Sequence, residues 1–246
     1  MIAGMGKRIW IPIVAAAALL ALGGTGAYVY FFSGLRTSPP QLALSSPAAS
    51  PATSPTAGAS TASGGTWQVT TGSLAGYRVM EQFVGQSSAH EAVARTSDVT
   101  GTVTVTRNGS TYEMTSATIT VQLANLASVD SVAGYNVTNR DRIVQRSLDV
   151  STYPNAVFKA QNVALPAAAE TGQTVTVSVP GQLTIHGVTK DVTASLQLRV
   201  TGGTAQIAGS IATNMTDFGV SPPTIGFTTV QPAVTIEFQV NLAESR

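Results

Sequence analysis

The sequence has no cysteine. That excludes disulfides, thiolate-bound zinc and iron–sulfur centres, and a lipid-modified N-terminal cysteine as membrane anchor. Charge is scarce: Asp, Glu, Lys and Arg make up 10% of the 246 residues, and the formal net charge is +1. No basic stripe stands ready to neutralise phosphates, so nucleic acid is not an expected partner. Histidine occurs twice, as His90 and His186. There is no His-x-x-His pair and no Gly-x-Ser-x-Gly elbow. Asp130, Asp141 and Asp149 are scattered and form no acid–base pair on sequence grounds. No residue pattern points to catalysis, and no cofactor or metal ligands are expected; an envelope enzyme using residues near the helix stays open as a third reading.

What the sequence does have, near its start, is one long apolar run. Residues 9–32, about 24 in number, carry no charge. At about 1.5 Å per helical residue this crosses a hydrocarbon core of about 30 Å. Pro12 sits near the beginning, where a helix tolerates it. Tyr28, Tyr30, Phe31 and Phe32 close the run with aromatics suited to the interface. Lys7 and Arg8 precede it and Arg36 follows, so the positive-inside rule places residues 1–8 in the cytoplasm and the rest outside. The expectation is a single-pass cell-membrane protein with an extracytoplasmic C-terminal domain. A cleaved export signal, with Thr25 and Ala27 near the cut, is the alternative. Residues 33–65 are rich in Ser, Pro, Ala and Thr, and Pro39, Pro40, Pro47, Pro51 and Pro55 block regular structure. They are expected to be a flexible tether, about 30 Å long on average and about 100 Å when extended.

Residues 66–246 alternate with period two. Tyr77, Val79 and Phe83 share a face that Glu81 interrupts; Val99, Val103 and Val105 alternate with threonines. Ile119, Val121 and Leu123, then Val192, Ala194, Leu196 and Leu198, then Ile207 and Ile211, continue the pattern. Val234 to Leu242 closes it, with Thr235, Glu237, Gln239 and Asn241 on the polar side. Each strand thus has one apolar and one solvated face, as in an antiparallel sheet. Asn108-Gly109 and Gly202-Gly203 mark hairpins. One short helix is expected, capped by Thr138 or Asn139, with Ile143, Val144 and Leu148 on its apolar side. Gln86 to Arg95 reads as a polar loop, and Asp217 to Thr229 as a long Gly/Pro-rich connection. Periodicity alone allows either a sandwich or a closed barrel.

Several ordered pieces carry a family resemblance. Trp67 opens the domain, and Arg140-Asp141 leads to Tyr153-Pro154 and Phe158. Gly181, Leu183-Thr184-Ile185 and Gly187-Val188-Thr189-Lys190 follow, then Asp217-Phe218-Gly219 and the closing strand. In these the chain resembles the YceI-like family. The resemblance implies an extended, lipocalin-like eight-stranded antiparallel barrel with one short helix, whose elongated apolar interior holds a polyisoprenoid or similar long-chain lipid. A hollow barrel would be lined by Val79, Phe83, Val103, Val105, Ile119, Val121, Phe158, Leu183, Ile185, Leu196, Ile207, Phe227 and Phe238. Met80, Met114, Met215 and Phe218 join them as lining or mouth residues. Arg140, Arg142 and His186 are candidates for meeting a headgroup at the mouth, the arginines suiting a phosphate. The plainer readings are a solvated helix face for the arginines and a turn residue for His186. For the whole domain the alternative is an envelope structural module with a filled core and no ligand.

Overall fold

The computed structural model describes residues 36–45, 64–85, 88–132, 136–226 and 228–245. The first strands are β1 (Arg36–Thr37), β2 (Gly65–Val69), β3 (Leu74–Phe83), β4 (His90–Thr96), β5 (Val99–Asn108) and β6 (Thr111–Gln122). Two short strands, β7 (Ala127–Ser128) and β8 (Ser131–Val132), lead to helix α1 (Thr138–Ser147). Then come β9 (Asn155–Ala160), β10 (Val163–Leu165), β11 (Val175–Ile185), β12 (Val188–Thr201), β13 (Thr204–Asn214), β14 (Thr224–Ile225) and β15 (Thr228–Glu244).

The alternating sequence closes into a barrel. β13 pairs with β15 from Thr204↔Ala243 to Asn214↔Ala233, which joins the two ends of the sheet. β2 and β3 lie in line along the other side of β15, and β4 and β5 lie in line beyond them. Counting each in-line pair once, the ring has eight antiparallel members. Pro232 falls where the register of β15 against β3 shifts, between Val230 and Val234. A residue without an N–H cannot serve a ladder there, so the strand bulges.

The registers define two ends. The β3–β4 turn, the His186–Gly187 turn, the short 3-10 helix Met215–Phe218 and α1 lie at one end. The Asn108–Gly109 and Gly202–Gly203 turns lie at the other. Helix α1 starts one residue earlier than a Thr138 cap would place it. Val137 is the cap residue without a side-chain bond, and Asn136 Oδ1 accepts from the Thr138 N–H at 3.0 Å instead. Asp141 in its first turn accepts from the Ser128 N–H (3.0 Å) and hydroxyl (2.6 Å), which fastens the helix to β7.

Two expectations need correction. Gln86 to Arg95 is not a loop: β4 begins at His90 and pairs with β3 from Glu81↔His90 to Ala75↔Thr96. Its Ala92, Val93 and Ala94 are all buried, so neither face is solvated and no alternation shows. The other concerns the tether. Residues 36–45 lie along the outside of the barrel, with Arg36↔Val132 and Thr37↔Ser131 paired at the helix end. The expected membrane segment 9–32 lies outside the described residues. Among those described, no helix is long and apolar enough to cross a membrane.

Candidate functional site

Inside the barrel is a cavity of about 570 Å³, lined mainly by the inward rows of the strands and roofed by Ile143 and Val144 of α1 and by Leu148 just after it. That volume lies within the range of small-ligand sites, about 300–1,000 Å³. Exposed Asn136 and Asn139 belong to the lining, so the cavity reaches the exterior beside the helix.

Of the residues expected to face a hollow interior, Val79, Phe83, Val103, Ile119, Val121, Phe158, Leu183, Ile185, Leu196, Ile207 and Phe238 all line it, as do Met114, Met215 and Phe218. Val105 does not. It lies farther along β5 toward the Asn108 turn, opposite Met114, and packs against the main core cluster. Met80 has the outward parity of Arg78 on β3 and is absent from the lining. Phe227 lies outside the described residues.

The two most informative stretches of sequence meet at the helix end. Tyr153 stands edge-on to the His186 ring with centroids 5.1 Å apart. A Cβ on Gly187 would lie 2.6 Å from the Tyr153 ring, and φ there is +74°. Gly187 therefore satisfies both a close approach and a left-handed backbone. Gly181 likewise lies under Phe158: a Cβ would come 2.7 Å from its ring and 2.5 Å from the Lys159 carbonyl. His186 does not line the cavity; its Nδ1–H donates to the Phe218 carbonyl at 3.2 Å and so holds a lining residue. Arg142 is also outside the lining. It is exposed and donates to Asn139 Oδ1 at 2.6 Å.

Arg140 is inside, but it is not free to grip an anion. Its guanidinium donates to Glu81 Oε1 and, at 2.7 Å, to Asp130 Oδ1. Asp130 also accepts from the Val93 N–H at 3.1 Å and from His90 Nε2–H at 2.7 Å. Glu81 sits on the inward row of β3, which explains its break in the apolar pattern: it is the partner of an arginine 59 positions away. Burial pushes the Glu81 carboxyl above the usual range, against the pull of Arg140. Burial acts the same way on Asp130, but hydrogen bonds from His90 and Arg140 outweigh it and hold that carboxyl low. Tyr77, between them and the apolar wall, has its phenol raised by burial despite Arg140. Ligand atoms of Glu81, His90 and Asp130 lie within 4.8 Å of one another. The guanidinium already supplies the positive charge for both carboxylates, so the trio reads as an ion-pair cluster rather than a metal centre. In the sequence His90 falls in the expected polar loop and Asp130 among the acids scattered near the helix, with nothing to connect them. Only the inward parity of Glu81 hinted at the cluster.

The profile of the YceI-like domain matches residues 68–242. The chain belongs to the YceI-like family. Among solved structures, a polyisoprenoid binding domain from Saccharophagus degradans implicated in plant cell wall breakdown shares 14% identity, with TM-score 0.51, covering 74% of this chain and 99% of that one. Burkholderia cenocepacia BcnA shares 18%, with TM-score 0.45, covering 68% and 95%. The Campylobacter jejuni YCEI protein shares 16%, with TM-score 0.41, covering 68% and 85%. No functionally curated protein matches the sequence. At 14% identity the likeness to the S. degradans domain shows the fold alone, and the ligand is argued from the cavity.

Proposed function

We propose that this protein is a membrane-anchored, extracytoplasmic YceI-like carrier that holds a polyisoprenoid or similar long-chain apolar lipid. The observation that carries the reading is the cavity of about 570 Å³ walled by Val, Ile, Leu, Phe and Met side chains. A structural module would bring those rows together at interior packing density, with few voids larger than a water molecule. The naming of the S. degradans relative as a polyisoprenoid binding domain supports the ligand class. The apolar run 9–32 supports the anchor.

Burying a methylene against water is worth about 0.8 kcal/mol. A tail of about 30 carbons would then pass the practical affinity ceiling of roughly 18–21 kcal/mol. A lipid taken from a bilayer leaves one apolar medium for another, so loading and unloading need little free energy. The head is the discriminating part. Arg140 is the lone cation among the lining residues, and Glu81 and Asp130 hold it. An uncharged head such as a hydroxyl fits that wall. A phosphate would be buried without a spare counter-charge.

Native mass spectrometry of the detergent-solubilised full chain tests the carrier. A stoichiometric long-chain lipid is expected, and the protein should take up added polyprenol in preference to polyprenyl phosphate of the same length. A protein that stays empty and ignores both would overturn the reading. Ala194→Phe offers a second check, because Ala194 lines the cavity. In a hollow barrel the ring enters open space: lipid is lost while stability changes by less than about 1.5 kcal/mol. In a filled core the same ring would cost about 1–3 kcal/mol.

A further inference from the structure

The outer face of β3, β4 and β15 is not solvated as its polar sequence implies. Glu237 is 1% exposed and Arg78 is 4% exposed, although both point away from the cavity. Residues 37–45 cover them. Arg78 Nη2 donates to the Pro39 carbonyl and Arg95 Nη2 to the Pro40 carbonyl, each at 2.6 Å. The Leu42 N–H donates to Glu237 Oε2 at 3.2 Å. Ser38 donates to the Glu91 carbonyl at 2.6 Å, and the Ser45 N–H to Gln206 Oε1 at 2.7 Å. Two prolines suit this strap: they have no N–H to leave unsatisfied and offer only the carbonyls that the arginines use.

The strap has a direction. It begins beside β8, where Arg36 pairs with Val132, four positions before the lining residue Asn136. It ends at Gln206, which pairs with Arg199 and Asn241 toward the far end of the barrel. Arg36, where the described strap begins, therefore lies at the cavity's open end. From Phe32 to Arg36 is four residues, which span at most about 14 Å. With the strap docked, the tether on the membrane side is that short. The exposed large hydrophobics among the described residues gather at the same end: Val84 (71% exposed) in the β3–β4 turn, Val129 (47%) beside β8, and Tyr153 (36%) against the His186 turn. Asp149 and Asp217 are there as well as Arg142 and Arg146, so charge does not single out this face.

We infer that Thr37–Ser45 is an orienting strap that seats the mouth of the barrel on the bilayer holding residues 9–32, so that lipid passes between membrane and cavity without crossing water. The inference rests on the anchored reading above. The contact surface is the rim carrying Val84, Val129 and Tyr153, and its partner is the surface of that same bilayer.

The absence of cysteine makes a labelling test clean. Full-length protein carrying Val84→Cys or Tyr153→Cys at the mouth, or Asn108→Cys or Gln173→Cys at the far end, is labelled with an environment-sensitive dye. It is then reconstituted in phosphatidylcholine/phosphatidylglycerol vesicles containing a headgroup spin-labelled lipid. Quenching is expected to be several-fold stronger at positions 84 and 153 than at 108 and 173. Replacing residues 37–45 with a Gly/Ser segment of equal length should erase the difference, and emission of buried Trp67 reports that the barrel stays folded. Equal quenching at both ends, or a difference that survives strap replacement, overturns the inference. Alkaline washing separates the two readings. Release of the chain sinks the anchor and the inference together, whereas retention with equal quenching sinks the inference alone.

Discussion

Two buried charge clusters sit on opposite sides of the same barrel wall, and they answer the cost of burial differently. The inner one sets Arg140 against Glu81 and Asp130, with His90 behind. The outer one sets Glu237 against Arg78 and Arg95, at 2.7 and 2.8 Å, with Glu91 at the edge. Inside, two carboxylates share one guanidinium, and carboxylates can take up protons. Outside, two guanidiniums share one fully buried carboxylate, and arginine does not shed its charge in proteins. Strands and helix enclose the inner cluster. Residues 37–45 cover the outer one.

The largest expected effect follows from that asymmetry. Glu237→Ala leaves Arg95 without its carboxylate and buried Arg78 with only Glu91 at the edge, and neither guanidinium has a proton to lose. Removing one partner of such a network costs about 3–5 kcal/mol, read as a shift of the urea midpoint. Lifting the strap should hydrate the cluster. In the protein with residues 37–45 replaced by Gly/Ser, the same substitution should cost only about 1 kcal/mol or less, as for exposed pairs. An unchanged cost in that background would show that the strap is not what buries Glu237.

Arg140→Met comes next, at about 2–4 kcal/mol near pH 7. It strands Glu81 and Asp130, and burial already raises the Glu81 carboxyl above its ordinary value. Its cost should shrink when the urea titration is repeated near pH 5, whereas the cost of Glu237→Ala should not. A pH-independent Arg140→Met would break the contrast between the clusters.

The same contrast explains what could be read from the sequence. The cavity wall was legible because its strands alternate apolar with polar residues in the sequence: Val79 and Phe83, Ile119 and Val121, and Leu196 and Ile207 all lie where period two puts them. β4 was not legible, because Val93 is buried on its outer side and Ala92 and Ala94 on its inner. The strap was not legible because nothing within residues 37–45 holds it. Its partners are Arg78, Arg95, Gln206 and Glu237, which look like ordinary members of a solvated row. Arg140 could be picked out as a mouth residue, but its commitment to Glu81 and Asp130 joins strands and helix far apart in the chain. Val105 has the inward parity of Val103, and only its position farther along β5, beyond the cavity, keeps it out of the lining.

The smallest effect sharpens the inner cluster alone. Asp130 faces His90, Arg140, the Val93 N–H and the neighbouring Glu81. Its carboxyl is held below its ordinary value of about 3.9. A lowered folded-state pKa gives stability that is present above the unfolded value and is lost as pH falls through the folded one. Glu81 has the opposite sign: raised on folding, it costs stability as pH rises through its folded value. Asp130→Asn should therefore cost about 1–3 kcal/mol near pH 7, and the gap from the native protein should close as urea midpoints are followed from about pH 5 to about pH 2.5. A gap that stays constant across that range would mean that Asp130 contributes through packing and neutral hydrogen bonds, and that its ionisation is no part of what holds Arg140 at the head of the cavity.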